Sequence, residues 1–205
     1  MGIQIVQEGH PCDYLVAPHI VRTVKFLLAL TRGPTVLSSS FVDKALELGN
    51  IPETQEHILH DDEAEEQYNF DLSRSIARAR SNKGRLLAEV PIYCTEKLRN
   101  GPDSYRQIAE ANGALFKIYR ARSAASIKPT TAEEDGYRPP EPVYLLSCDS
   151  ADERQMWPRF VEMAENGHME ARIVAADWLL DVAMAQEVRF DKKYLVETWY
   201  AKATS

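Results

Sequence analysis

Two stretches far apart in the chain read alike, and the likeness limits the folds open to it. Residues 13–17 (DYLVA) match residues 143–147 (VYLLS), and residues 35–46 (TVLSSSFVDKAL) match residues 172–183 (RIVAADWLLDVA). Setting Phe41 on Trp178 sets Val36 on Ile173, Leu37 on Val174 and Val42 on Leu179. Each copy reads as an apolar run, a helical pattern, a second apolar run and a second helical pattern. Strands joined through helices pair in parallel by right-handed crossovers. Short, nearly continuous apolar runs suit strands covered on both faces. The repeat therefore predicts an α/β chain built from two like units.

The second copy has an extra opening. "VPIYCT" (90–95) reads as a strand, "DSYRQIAEANGA" (103–114) as a helix and "LFKIY" (115–119) as a further strand. Together they predict a parallel four-stranded sheet flanked by helices. In the first copy only "IQIV" (3–6) precedes the strand at 13–17. Residues 70–87 read as a linker helix, with Asp71 as its cap, Lys83-Gly84 at its end, and Leu72, Ile76 and Ala79 as a thin apolar stripe. The acidic run at 60–67 opens the helical segment that follows it, because carboxylates favour a first turn. Residues 152–167 predict one long helix. Residues 190–203 predict a terminal helix with Tyr194, Leu195, Thr198 and Trp199 on one face. Residues 121–142 show no apolar period and read as a long loop. The expected organisation is a first unit at 1–62, a linker helix at 63–86 and a second unit at 87–205.

Charge and motif content narrow the function. The formal net charge is -7, whereas a duplex-DNA binder needs a broad basic face. A small anionic ligand at a local basic spot stays compatible with an acidic body. Cys12, Cys94 and Cys148 show no CxxC spacing, which speaks for a reducing compartment and against a disulfide framework or zinc site. No apolar run reaches the ~18 residues of a transmembrane helix. His57 and His60 form an HxxH that lacks both the glutamate of HExxH and a third ligand. The triple serine at 38–40 lacks a GxSxG context, and no P-loop or GxGxxG occurs. No enzyme, metal or cofactor is expected. Trp178 and its counterpart Phe41 read as core aromatics.

Residues 21–30 (VRTVKFLLAL) pose a charge question. They read as a helix with Arg22 and Lys25 in its first turn, where the helix dipole disfavours cations. Two readings fit. In one, Val21, Val24, Leu27 and Leu28 point inward while the cations form a solvated edge. In the other, Arg22 and Lys25 share a face three residues apart, Thr23 caps the helix or donates its hydroxyl, and free backbone N–H groups join them in holding a phosphate or carboxylate. Lysine supplies point charge, and arginine a planar fork suited to carboxylate or main-chain oxygens.

"YLVAPHIVRTVKFLLAL" (14–30), "ADWLLDVA" (176–183) and "YNFDLSRSIARARSNKGRLL" (68–87) resemble tandem BRCT repeats, in particular the C-terminal pair of fungal DNA-damage scaffolds and of the PTIP-like subgroup. The resemblance runs from about residue 3 to 197. It implies two four-stranded parallel sheets flanked by helices, and a nuclear phosphoserine reader whose ligand is the phosphorylated C-terminal tail of a core histone of the H-two-A type. By position it gives Lys25 the phosphate, Thr23 a bracing role, and Arg22 the peptide main chain or terminal carboxylate three residues beyond. Leu27, Asn100 and Leu180 are its groove walls. It implies other DNA-damage-response proteins as partners, and neither sequence-specific nucleic-acid binding nor a membrane. The departures are specific. The family's opening strand, ending in Ser/Thr-Gly, and the helix after it would lie before Met1. Phe41 replaces a tryptophan, Asn112-Gly113-Ala114 stands for a Gly-Gly pair, and Ala176 offers no basic side chain. The missing pocket strand keeps a second reading open, a scaffold that binds other proteins independently of phosphorylation.

Overall fold

Along the two central strands of the larger sheet, residues 91–94 and 143–146 are all buried except Tyr93, so the sheet is covered on both faces at its centre. A computed structural model describes residues 3–7, 9–120 and 140–198. It divides into unit 1, Met1–Leu86 with Asp181–Glu187, and unit 2, Leu87–Leu180 with Val188–Ser205. Unit 2 holds β3 (Pro91–Cys94), α5 (Gly101–Ala111), β4 (Leu115–Ile118), β5 (Glu141–Leu146), α6 (Ala151–Arg154), α7 (Trp157–Glu165), β6 (Met169–Val174) and the first half of α8 (Asp177–Ala185). Its four strands run in the order β4-β3-β5-β6, all parallel. Val143 and Leu145 face α7, where Phe160, Met163 and Ala164 form the core with Tyr119 and Met169. Tyr144 faces the other way and stacks on Trp178, with ring centroids 3.8 Å apart. The indole N–H donates to the Arg189 carbonyl at 2.8 Å, so the fully buried Trp178 leaves no polar group unmet.

Unit 1 repeats half of this plan. β1 (Tyr14–Val16) and β2 (Thr35–Leu37) form a parallel pair joined through α1 (Val24–Leu30), and α2 (Ser40–Leu48) follows. Tyr14 pairs with Thr35 and Val16 with Leu37, as Tyr144 pairs with Arg172 and Leu146 with Val174. Leu37 bridges Ile58 after a 3₁₀ turn, and Val174 bridges Leu195 after another. The ring of Tyr14 meets Phe41 at 5.9 Å, the counterpart of the Tyr144–Trp178 stack. These equivalences match the sequence alignment residue by residue. The difference lies beside β1, where unit 1 has no described counterpart of β3. Tyr14 and Val16 are 45% and 38% exposed, whereas Tyr144 and Leu146 are 1% and 0% exposed. Ile3, Ile5 and Val6, the "IQIV" run, are exposed and form no strand.

Several boundaries differ from the sequence expectation. α3 (Asp62–Tyr68) and α4 (Leu72–Asn82) are separate helices, because Asn69 turns left-handed between them at φ 50°. Asp71 caps α4 by accepting from Arg74 N–H at 2.8 Å, and Lys83 closes it at φ 53°. The predicted helix at 152–167 is two helices, since Pro158 starts a new one and the chain breaks before Trp157. Glu141 and Pro142 belong to β5 rather than to a loop, and residues 121–139 lie outside the described ones. The predicted terminal helix begins instead as a 3₁₀ turn at Lys192–Tyr194, with Leu195 in a bridge, and Trp199 lies outside the described residues.

Candidate functional site

The site is built on the turn that links β1 to α1. Ala17 continues the sheet by donating to Leu37 O at 2.9 Å. Ile20 is 3% exposed and anchors the turn in the core of unit 1. Its N–H donates to Asp61 Oδ2 at 2.8 Å, while Asp61 Oδ1 accepts from Ala64 N–H at 3.2 Å. One carboxylate thus caps α3 and pins the turn. Thr23 adopts extended geometry, φ -81° and ψ 152°, and its Oγ1 accepts from Phe26 N–H at 3.3 Å. An N-cap needs such a conformation, so the helix starts only at Val24. Phe26, Leu27 and Leu30 are buried and hold α1 in place.

This start position corrects part of the sequence reading. Arg22 precedes the cap and shares no helix face with Lys25. The two cations stand in different states. Arg22 Nη2 pairs with Asp181 Oδ1 at 3.0 Å, its side chain is 20% exposed, and its guanidinium carbon lies 5.4 Å from the Tyr68 ring centroid. Lys25 is exposed and makes no hydrogen bond or ion pair with any described residue. Thr23 is also exposed, and its hydroxyl hydrogen stays available because the cap uses only a lone pair. The turn therefore presents an uncommitted ammonium and a hydroxyl beside an anchored guanidinium. Leu27 is 0% exposed and offers no groove wall, because burying α1 consumes its side chain. Asn100, exposed at φ 72°, and the half-buried Leu180 belong to unit 2.

The second copy shows the opposite charge at the same place. Ser150 caps α6 by accepting from Glu153 N–H at 3.3 Å, as Thr23 caps α1. Two residues past the cap stands Asp152, where unit 1 has Lys25. Its carboxylate is bonded to Lys97, which holds it below the usual carboxylate range, and Asp149 is bonded to Arg154 with the same effect. Glu153 is buried, with Oε2 accepting from Ser147 Oγ at 2.7 Å, and Ser147 Oγ accepting from Trp157 Nε1 at 2.9 Å. Carboxylates at this position repel an anion, so of the two capped turns the one in unit 1 is the more compatible with a phosphate.

The other candidates resolve structurally. His57 Nδ1 lies 2.9 Å from Ser40 Oγ, which in turn lies 2.7 Å from Ser38 Oγ. No group of three or more metal-ligating side chains forms among the described residues. Burial pushes the Cys94 thiol up to about 12, and Cys12 and Cys148 are shifted upward for the same reason. Thiolate nucleophiles need the opposite shift.

Sequence reasoning missed Asp61, Tyr68 and Asp181. An Asp three residues before Ala64 signals the cap, but nothing in the sequence signals its second bond to Ile20 or the approach of Asp181 to Arg22. Replacing Asp61 with Ala should lower stability by about 1–2 kcal/mol, the usual effect of losing a helix cap. It should also speed hydrogen exchange at the Ile20 amide, which native-state exchange by NMR reads directly. Unchanged exchange there would show that the turn is held by other contacts.

A family described as the Regulator of Ty1 transposition protein 107 BRCT domain matches residues 1–59. Mediator of DNA damage checkpoint protein 1 of Homo sapiens is 30% identical over 123 residues, 60% of this chain and 6% of that protein. Among solved structures, the BRCT5-BRCT6 domains of Schizosaccharomyces pombe Brc1 superpose with a TM-score of 0.67 at 24% identity, covering 86% of this chain and 79% of that one. A complex of Rtt107p with a phosphorylated histone of the H-two-A type superposes with a TM-score of 0.64 at 16% identity, covering 94% and 79%. The chain spans from 6% to 21% of the length of the curated relatives it matches.

Proposed function

We propose, on the premise that this chain is a tandem BRCT domain of the Rtt107 and Brc1 type, that it reads a phosphoserine near the C-terminus of a partner protein within a nuclear DNA-damage-response scaffold. The ligand class is the phosphorylated tail of a core histone of the H-two-A type. Support comes from the Rtt107p structure solved with such a ligand and from a relative named for the DNA-damage checkpoint. The observation that carries the reading is Lys25, an exposed cation on the capped end of α1 that forms no ion pair with any described residue. A phosphoserine brings about -1.5 to -2 charges and three strong acceptors. The Lys25 ammonium and the Thr23 hydroxyl answer them with charge-assisted and neutral hydrogen bonds. Arg22, already fixed, reads the peptide main chain or terminal carboxylate. The role is recognition rather than catalysis.

Titration of a labelled phosphoserine tail and its unphosphorylated twin tests the proposal, and equal affinities would overturn it. The pH dependence has a defined sign. The second ionisation of phosphoserine lies near pH ~6, so the dianion dominates above it and the monoanion below. Affinity should fall about tenfold between pH 7.5 and pH 5, because only roughly a tenth of the ligand remains dianionic at the lower pH. Fluorescence anisotropy across that range reads the loss.

A further inference from the structure

We infer that α4 acts at a distance on ligand recognition: Arg78 and Asn82 grip the segment 185–187 and so position Asp181, which orients Arg22. The inference rests on the reading of Arg22 given above. Helix α8 ends at Ala185, where the last carbonyls of a helix lack partners within it. Side chains from α4 meet the carbonyl of Ala185 and that of Gln186 just beyond it. Arg78 Nη1 donates to Ala185 O at 3.2 Å and pairs with Glu187 Oε2 at 3.1 Å. Asn82 Nδ2 donates to Gln186 O at 3.2 Å. Arg78 and Asn82 are four apart on α4 and share a face. The gripped segment is itself well determined: Gln186 is 1% exposed, turns left-handed at φ 49°, and donates from Nε2 to Ala183 O at 2.9 Å.

Asp181 lies one helical turn before Ala185, so the position of the helix end sets the position of its carboxylate. That carboxylate meets Arg22 Nη2 at 3.0 Å, and Tyr68 flanks the guanidinium at 5.4 Å. A guanidinium is planar, so fixing one edge against an acid fixes the direction of the rest. Pre-orientation removes the ordering cost that a long side chain otherwise incurs on binding. Arg78, Asn82 and Asp181 are thus positioning residues, which touch no ligand themselves.

The test compares a phosphoserine tail bearing a free C-terminal carboxylate with the same peptide amidated. The wild-type chain should prefer the free carboxylate. Asp181→Ala and Arg78→Ala should bring the ratio of the two affinities about three- to tenfold closer to one, while each variant keeps its preference for the phosphorylated over the unphosphorylated peptide. Asp181→Glu should restore part of the ratio. Circular dichroism melts establish folding, and Asp181→Asn and Asn82→Ala, which remove fewer contacts, replace any variant that fails to fold. A ratio unchanged in the folded variants overturns the inference and leaves the reading of Arg22 standing. A wild-type ratio of one overturns the carboxylate role of Arg22, and the inference with it, while phosphate dependence reports on Lys25 separately.

Discussion

Lys25→Glu is expected to abolish binding of a phosphoserine peptide while leaving the chain as stable as the wild type. The stability half follows from exposure: the Lys25 side chain makes no bond to any described residue, so its loss strands no group in the folded chain. Surface substitutions of that kind usually stay within about 0.5 kcal/mol. The binding half follows from charge. Removing one partner of a desolvated ion pair typically costs about 2–5 kcal/mol, a loss of roughly thirtyfold to several thousandfold in affinity. Glutamate adds repulsion toward the phosphate, which places the variant at the upper end. Thr23→Val should give a smaller loss, accompanied by some destabilisation because the hydroxyl also caps α1. Calorimetric titration with the phosphopeptide, beside a thermal melt, separates the two effects. Full binding by a folded Lys25→Glu variant would leave the turn without a role in phosphate recognition.

The largest expected effect on stability is at Gly33. It follows α1, donates to Leu30 O at 2.9 Å, and sits at φ +66°, a conformation that L side chains rarely adopt. A Cβ there would come within 2.6 Å of Arg80 Cγ and 2.9 Å of both Arg80 N and Ile76 O. Two of those three neighbours are backbone and have little room to give. The Gly33 carbonyl also accepts from Arg80 Nε at 2.8 Å, so α4 lies directly against this turn. Left-handed backbone costs a non-glycine residue about 1–2 kcal/mol, and overpacking adds about 1–3 kcal/mol. Gly33→Ala should therefore destabilise by about 2–5 kcal/mol. Gly49 serves as the control: it sits at φ +68° with nothing within 4 Å of its virtual Cβ. Gly49→Ala should cost only the backbone part, about 1–2 kcal/mol. Denaturant melts of the two variants isolate the contribution of the close approach, and equal losses would refute it.

What was legible in the sequence is instructive in its particulars. The alignment of Phe41 with Trp178 carries straight into matching registers, since Tyr14 and Tyr144, Leu37 and Val174 hold equivalent places. The internal repeat succeeds because a buried parallel strand needs apolar residues on both faces, and such runs stand out wherever they occur. The chemistry at 22–25 was only half legible. Thr23 caps the helix and Lys25 stands in its first turn, but Arg22 lies outside the helix and Leu27 inside the core. Periodicity alone places both sets of side chains on a face without stating which face the fold covers. The break before Trp157 and the 3₁₀ turn at Lys192–Tyr194 went unread for a related reason. A helical pattern continues across a boundary that only packing and Pro158 impose.

By itself the chain's sequence determined what closes within a turn or two. The caps at Thr23, Asp61, Asp71 and Ser150 each bond three residues ahead, so their identity and spacing suffice. The tertiary structure alone decided which cation is paired and which is left exposed. Ile20 meets Asp61 41 positions away, Arg80 meets Gly33 at 47, and Arg78 meets Ala185 at 107. Such pairs form because burying apolar surface brings distant backbone together, and polar groups caught there must find partners or remain unsatisfied at a cost. Arg22 found Asp181 in this way and Lys25 found no described partner, a distinction that two cations three residues apart do not reveal in a line of letters.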